Sequence, residues 1–323
     1  MSERVAVVST SYPRDPDDAA GHFVRSEVRE LVRAGHEVHV LAPGRGTASS
    51  DGAHLHWLAD HGAFGWPGAI ARLAQHPTRA LGACAFTVRA ASTLRALAPF
   101  ARVQAHFLVP CGWPIALFGN APLELVGHGS DVRLFCRLPS VLRARIAQSW
   151  LEREARVRVT SRQLAERLAE ACPALSARIE VRPSPIDVDG VPARAEARRS
   201  LGLPSDGTLA VVVSRLVPGK RVDLALRALA LLDTLSVLVV GDGPELGSLR
   251  AEFPAVRFVG RVPRPEALRY IAAANVLVSA SANEGAPSVV REARALGVPV
   301  VAVAAGDLAA WAERDAGLWV VPG

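Results

Sequence analysis

Two cations and two carboxylates stand out because each pair follows a strand-like apolar run. Arg215 and Lys220 follow the run 209–214, and a guanidinium fork beside a compact ammonium suits a diphosphate. Glu284 and Glu292 lie eight residues apart. Apolar residues recur at helical spacing around the second of them, which predicts Glu284 in a loop and Glu292 about two turns into a helix. Lys220 is the only lysine in a chain that otherwise uses arginine.

The chemistry of these positions favours a bound anion next to a sugar. Free N–H groups at the predicted helix start, residues 286–289, favour an anion. A carboxylate beside them is better used for sugar hydroxyls. The alternative for Glu284 and Glu292 is that both are solvated residues at a helix start. For Arg215 and Lys220 this alternative is weaker, because cations are disfavoured at a helix N-terminus unless they serve an anion.

Candidate residues in the first half are histidines and a glycine. All nine histidines precede residue 129, so a catalytic imidazole has to come from this half. His128 follows a strand-like run, where it can place a hydrogen bond on a substrate oxygen, with Asp131 orienting it or capping the next segment. His106 has a similar position but is predicted to pack beneath the loop. Gly21 lets the backbone approach a ligand closely.

The elements that position these residues alternate between strand and helix. One alternating run covers the first half and a second begins near residue 209, with a Pro-, Asp- and Gly-containing linker predicted over 183–207. A helical pattern also covers 68–98, with a break near Pro77. This alternation predicts two doubly wound α/β domains, 1–188 and 189–323, that face each other across a cleft and bind ligands at the carboxyl ends of their strands.

Composition and charge limit the class of protein. Half of the residues are hydrophobic, and no apolar run is long enough to span a bilayer. The N-terminus has no signal-peptide layout and the four cysteines have no metal-ligand spacing, so we expect a cytoplasmic protein with reduced thiols. Residues 61–150 hold nine arginines against two acidic residues, a local charge of +7. This favours an anionic partner such as a membrane surface, unless the arginines are simply solvated.

Nearly the whole chain resembles the group-1 (GT4) family of retaining glycosyltransferases, which have the GT-B fold. The resemblance rests on His-Gly-Ser-Asp at 128–131, Ser-Arg-Leu-Val-Pro-Gly-Lys-Arg at 214–221, Gly-Asp-Gly-Pro-Glu at 241–245 and Glu-Gly-Ala-Pro-Ser-Val-Val-Arg-Glu at 284–292. Ser-Tyr-Pro-Arg-Asp-Pro at 11–16 resembles members that build cell-surface polysaccharides. The linker has Ser-Pro-Ile-Asp at 184–187 where the family usually has Asn-Gly-Val-Asp. The chain also ends before the family's usual C-terminal crossover helices.

The resemblance implies a role for each matching residue. Arg215 and Lys220 would bind the donor diphosphate, which Gly21 would also approach. His128 and Glu284 would act at the transferred sugar. The remaining sugar- and nucleotide-binding positions would be Gly285, Ser288, Val289, Glu292 and Arg261.

The function implied is transfer of a sugar from a nucleotide-sugar donor to a glycan or lipid-linked acceptor. No cofactor is expected. No metal is expected either, because no Asp/His cluster marks a divalent site and the two cations can neutralise the diphosphate. The basic first half suggests contact with the inner face of an anionic membrane, and few aromatics accompany its arginines, which argues against nucleic acid. A nucleotide-sugar epimerase of the same architecture and a non-catalytic nucleotide binder are the alternatives.

Overall fold

The structure is a computed structural model that describes residues 2–15, 18, 20–45, 51–65, 69, 72, 75–282 and 284–322. The beginning of the helix predicted over 68–98 therefore lies largely outside the described residues. The chain divides into two compact units. The first unit comprises residues 1–14 and 20–185, and the second comprises 15–19 and 186–323.

The first unit contains a parallel sheet with the strand order β3-β2-β1-β4-β5-β6-β7. Its strands are β1 Arg4–Ser9, β2 Glu37–Pro43, β3 His54–Leu58, β4 Arg102–His106, β5 Leu123–Gly127, β6 Arg156–Val159 and β7 Ile179–Val181. Its described α-helices of more than one turn are α1 His22–Arg33, α2 Ala80–Leu97, α3 Ser130–Cys136, α4 Ser140–Glu152 and α5 Arg162–Ala171. A 3₁₀ turn at Pro77–Arg79 precedes α2, which places the predicted break at Pro77.

The second unit contains a parallel sheet with the order β10-β9-β8-β11-β12-β13. Its strands are β8 Thr208–Val213, β9 Leu235–Val240, β10 Arg257–Gly260, β11 Val276–Ser279, β12 Val300–Val303 and β13 Leu318–Val321. Its described α-helices are α6 Arg194–Ser200, α7 Val222–Leu229, α8 Leu246–Glu252, α9 Arg264–Ala273, α10 Ser288–Ala295 and α11 Leu308–Ala312. The predicted alternation of strand and helix is therefore present in both units.

The central strands β1 and β8 are largely apolar on both faces because helices cover both sides of each sheet. In the first unit one core includes Val8, Leu125 and Trp150, and a second core on the other face of β1 includes Val5 and Val24. The second unit likewise has two cores, one on each face of β8. Two closely packed faces fix the register of each strand, and they hold the loops at the strand ends in defined positions.

The linker predicted over 183–207 is only partly correct, because it contains helix α6. This helix buries Ala197 and Arg198. The Arg198 guanidinium donates to the Ala273 carbonyl at 3.0 Å and to Asn275 Oδ1 at 2.7 Å. A buried arginine that bonds carbonyl groups gives no hydrophobic periodicity, so the apolar pattern did not indicate this helix.

Candidate active site

Both sheets reverse their strand order next to their first strand, and that reversal is where α/β sheets bind ligands. In the second unit it lies between β8 and β11, which pair directly. The loop after β8 carries Lys220, and the loop after β11 carries Glu284. Because both loops leave the same edge of the sheet, residues 64 positions apart in sequence come into contact.

Lys220 and Glu284 form an ion pair through Lys220 Nζ and Glu284 Oε1. The side chains are 22% and 15% exposed, so both keep access to solvent while much of each is covered. A charged pair in a partly covered position attracts more strongly than one in bulk water. This contact joins two residues that the sequence singled out separately, and it places an ammonium where an anion can reach it.

Two further contacts tie these loops together. The Ala282 N–H donates to the Gly219 carbonyl at 3.1 Å. The Arg221 Nε donates to the Ala280 carbonyl at 3.0 Å. Arg221 has a φ of 45°, in the left-handed region that non-glycine residues rarely adopt, so the packing around it holds the strained turn in place. The sequence indicated Lys220 but gave no sign of the positioning role of Arg221.

Glycines set the loop positions by close backbone approach. A Cβ at Gly241 would lie 1.8 Å from the Ser214 carbonyl oxygen, and one at Gly243 would lie 2.3 Å from that of Leu216. The Gly-Asp-Gly turn therefore packs directly against the loop that carries Arg215. Both glycines are therefore required by the close approach of the two loops.

Gly306 packs against the loop that carries Glu284 in the same way. The residues around Gly306 in the sequence did not indicate this contact. A Cβ at Gly306 would lie 2.4 Å from the Gly285 carbonyl oxygen and 2.8 Å from that of Glu284. Its φ of 56° also favours glycine. The backbone on both sides of the ion pair is therefore constrained.

Glu292 lies just over one turn into α10, not about two turns, because the helix begins at Ser288 with Pro287 as its N-cap. The side chain is 5% exposed and accepts a hydrogen bond from Arg264 Nη2 at 2.9 Å. Arg264 Nη2 also lies 3.4 Å from the Asp187 carbonyl oxygen. A buried carboxylate requires such a partner, and Arg264 was not singled out from the sequence.

The other predicted donor-site residues lie on these two loops, at the start of α10 and after β10. Gly285 is buried, while Ser288 and Val289 are half-buried at the start of α10. Arg215 is exposed. Arg261 follows β10 and pairs with Asp18, its Nη2 lying 3.0 Å from Asp18 Oδ1. The structure therefore brings Lys220 and Glu284 into direct contact and leaves Arg215 accessible.

In the first unit two histidines meet at the carboxyl ends of β4 and β5. His106 Nδ1 lies 3.0 Å from His128 Nε2, and the two rings stack. His106 is fully buried, in agreement with its predicted place beneath the loop. Burial, followed by the charge of Arg158, lowers the pKa of His128 to about 3. Burial also lowers the pKa of His106, so both rings are neutral near pH 7.

Asp131 organises the loop instead of the imidazole. Its Oδ1 accepts from the backbone N–H groups of His128 and Gly129 at 3.0 and 2.9 Å, and its Oδ2 accepts from the Leu108 N–H at 2.8 Å. These three bonds hold the backbone before α3 in place, and none of them goes to the imidazole; the N-cap of α3 is Gly129. The His128 ring itself packs against Phe23, with 4.5 Å between ring centres.

The local backbone conformation requires a glycine at position 21. Its φ is 70°, and a Cβ there would lie 2.3 Å from the Ser11 carbonyl oxygen. The close approach that the sequence suggested is thus made to the backbone after β1, at the N-terminus of α1. Whether a ligand also approaches Gly21 stays a prediction.

Two Rossmann-like units of this kind define the GT-B class of fold. Sucrose-phosphate synthase from Thermosynechococcus elongatus matches it with a TM-score of 0.78 at 22% identity, over 99% of this chain and 86% of that one. Anabaena HepE, solved with UDP-glucose, matches with a TM-score of 0.69 at 17% identity over the same shares.

The family models then identify the chain. The model described as glycosyltransferase family 4 matches residues 20–189, and the one described as glycosyl transferases group 1 matches 193–323. The chain belongs to glycosyltransferase family 4, as its resemblance to the group-1 enzymes implied.

Curated relatives are longer than this chain. TuaC of Bacillus subtilis, whose name assigns it provisionally to teichuronic acid biosynthesis, is 31% identical over 230 residues, or 68% of this chain and 57% of TuaC. D-inositol 3-phosphate glycosyltransferase of Thermomonospora curvata is 38% identical over 132 residues, or 35% of this chain and 31% of the relative. The chain thus spans about a third to somewhat over half of these relatives. Within the described residues, none of the helices is both long enough and apolar enough to cross a bilayer.

Proposed function

We propose that the protein transfers a hexosyl group from a nucleotide-sugar donor to a glycan or lipid-linked acceptor, with retention of anomeric configuration, in cell-surface polysaccharide synthesis. The observation that carries this proposal is the Lys220–Glu284 pair at the strand-order reversal of the second sheet. It combines a cation for a diphosphate with a carboxylate for sugar hydroxyls, which is the combination that a nucleotide sugar requires.

The cations stabilise the leaving group. As the bond between the sugar and the diphosphate breaks, negative charge grows on the diphosphate, and Lys220 with the accessible Arg215 lies ready to neutralise it. These two cations take the place that a divalent ion would otherwise occupy, so turnover requires no added Mg²⁺ or Mn²⁺. The acceptor oxygen forms its new bond on the face that the diphosphate leaves, and a donor phosphate oxygen takes its proton.

The carboxylates and the backbone position the donor. Glu284 binds hydroxyls of the transferred sugar, and Glu292, held by Arg264, binds the nucleotide ribose. Gly285, Ser288 and Val289 surround the same ligand, and the backbone near Arg261 holds the base. The names of HepE, solved with UDP-glucose, and of TuaC support a nucleotide-sugar donor and a polysaccharide product.

His128 contributes a neutral hydrogen-bonding group near the reacting sugar. Its lowered pKa keeps the ring uncharged, so it donates or accepts a hydrogen bond without adding a second positive charge. His106, in hydrogen-bond contact with it, fixes the ring orientation. Gly21 brings the chain after β1 close to the phosphate or the acceptor.

The acceptor is met at a membrane surface. Helix α2 has an exposed stripe with Leu81, Val88 and Arg95 at seven-residue spacing, and the first two side chains are 76% and 63% exposed. On α4 Val141 is 66% exposed. Apolar side chains among arginines suit the surface of an anionic bilayer, where the chains enter the interface and the charges meet headgroups.

The experiment that tests the function is incubation with a panel of nucleotide sugars and a lipid-linked or oligosaccharide acceptor. Release of nucleoside diphosphate together with a glycosylated acceptor is expected, with the anomeric configuration determined by NMR. Lys220→Ala should abolish most of the release, and Arg227→Ala, which removes an exposed cation of the same unit, should not. Epimerised donor, or nucleotide binding without turnover, would contradict the proposal.

A further inference from the structure

A separate polar cluster lies at the amino end of the first sheet, opposite the edge that carries the candidate active site. Glu37 and His39 alternate on β2, and His54 and His56 alternate on the edge strand β3. His39 and His54 are direct partners in the parallel ladder. Because residues two apart share a face, all four side chains lie on the same face of the sheet.

The distances within this cluster are short. His39 Nε2 lies 2.8 Å from Glu37 Oε1, and the His39 and His54 rings stack with 4.7 Å between their centres. One nitrogen or oxygen atom from each of Glu37, His39 and His54 lies within 4.8 Å of the other two. His39 is buried, whereas Glu37 and His54 are exposed, so an ion from solvent can reach the cluster.

We propose that Glu37, His39 and His54 bind a divalent transition-metal ion, for which Zn²⁺ is the best match. Imidazole nitrogen and carboxylate oxygen are both zinc ligands at about 2.0–2.2 Å, which puts neighbouring ligand atoms roughly 3.4 Å apart. Binding would require the exposed Glu37 and His54 side chains to turn so that the three atoms, now within 4.8 Å of one another, reach that spacing. Mg²⁺ and Ca²⁺ are disfavoured, because they prefer oxygen ligands.

His56 supplies the orienting contact that a metal-bound histidine normally has. His39 Nδ1 lies 3.0 Å from His56 Nε2, so Nδ1–H can donate while Nε2 turns its lone pair toward the ion. The ion would fasten β2 to β3 at the edge of the sheet.

Arg4 is the residue that opposes metal binding. Its Nε lies 3.1 Å from Glu37 Oε1 and 3.3 Å from His39 Nε2, so a guanidinium already neutralises the atoms that the ion would use. Arg4 is also anchored elsewhere, since its Nη1 donates to the Leu97 carbonyl at 2.5 Å and the guanidinium lies over Phe100. Arg4 can therefore give up its two Nε contacts while its Nη1 stays bonded to the C-terminal residue of α2.

Calorimetric titration of ZnCl₂ into chelator-treated, dialysed protein tests the proposal. One equivalent of Zn²⁺ should bind and raise the melting temperature. His54→Gln, an exposed edge-strand change, should weaken binding at least tenfold and remove the melting shift. Arg4→Gln should tighten binding. The control His76→Gln, an exposed histidine outside the cluster, should bind as the wild type does.

Two results would overturn the proposal. One is no zinc binding by the wild-type protein. The other is zinc binding that both His54→Gln and Glu37→Gln leave unchanged, which would assign the ion to histidines elsewhere in the chain. Neither readout depends on turnover, so the result is independent of the proposed transferase function.

Discussion

At the strand-order reversal of the second sheet a lysine and a glutamate form an ion pair, whereas beside the same reversal in the first sheet two neutral histidines stack. The strand order around the two reversals is the same, so the backbone offers an equivalent position in each unit. What differs is charge. Lys220 suits an anion, while His128, with its lowered pKa, suits an uncharged hydroxyl. On the proposed function, the topology determines where ligands bind, and the side chains determine which kind.

The largest effect is expected from removing Lys220, the cation at the strand-order reversal of the second sheet. Lys220→Ala should lower turnover by about 10²–10³-fold, the scale of removing one positioned donor from a developing anion. Steady-state assay of nucleoside diphosphate release measures it, with Arg227→Ala as the control. Lys220→Arg should recover little, because a planar fork does not replace a compact ammonium. Wild-type turnover in Lys220→Ala would show that Lys220 does not stabilise the leaving diphosphate.

The two carboxylates should separate into different roles. Glu284→Gln should lower turnover while nucleoside diphosphate affinity stays nearly unchanged, because Glu284 is proposed to bind the sugar and Lys220 remains to bind the diphosphate. Glu292→Gln should weaken nucleotide binding about tenfold, the cost of roughly one charged hydrogen bond. Calorimetric titration measures both, and Glu252→Gln, an exposed carboxylate of the same unit, serves as the control. An equal loss of affinity in both variants would show that the roles are not divided.

The two buried histidines of the first unit, His106 and His128, should make the stability of the protein depend on pH. The unfolded chain takes up protons on His106 and His128 as pH falls below about 6.5, whereas burial keeps the folded-state pKa values lower. The free energy of unfolding should therefore fall between pH 7 and pH 5, by up to about 1.4 kcal/mol per pH unit for each proton. Urea unfolding measures this slope, and His106→Asn should make it shallower. An unchanged slope would show that His106 is not held neutral.

The smallest effect concerns the surface of the first unit. The protein should sediment with anionic vesicles at low salt and not near molar salt, because the attraction of arginines fades within a Debye length. Leu81→Glu with Val88→Glu should weaken this binding, and Leu231→Glu, an exposed residue of the second unit, should not. Equal partitioning to neutral vesicles, or none to either, would mean a solvated arginine face and a soluble acceptor.

The sequence predicted the class of fold and the positions of single residues, but not their partners. Lys220 and Glu284 each follow an apolar strand, so the edge of the sheet was predictable for both. Their contact depends on β8 lying beside β11, which hydrophobic periodicity along the chain does not indicate. The same holds for Glu292 and Arg264, and for His39 and His54, which meet only through strand pairing.

A buried arginine and a glycine account for two further features that the sequence did not indicate. Helix α6 lay in the predicted linker because its buried Arg198 bonds carbonyl groups and shows no apolar pattern. Gly306 supports the Glu284 loop through a backbone approach between distant segments. The Arg198 contacts and the Gly306 approach both involve segments that are distant in sequence, and composition and residue spacing do not show which distant segments lie together.

Calorimetric titration of UDP, ADP and GDP into the wild-type protein and into Lys220→Ala tests most directly whether the Lys220–Glu284 site binds the donor. We expect at least one nucleoside diphosphate to bind the wild type and Lys220→Ala to weaken that binding by tenfold or more, with Arg227→Ala unchanged. Equal affinity in the wild type and Lys220→Ala, or no binding of any of the three, would contradict the assignment of the charged site as the donor site.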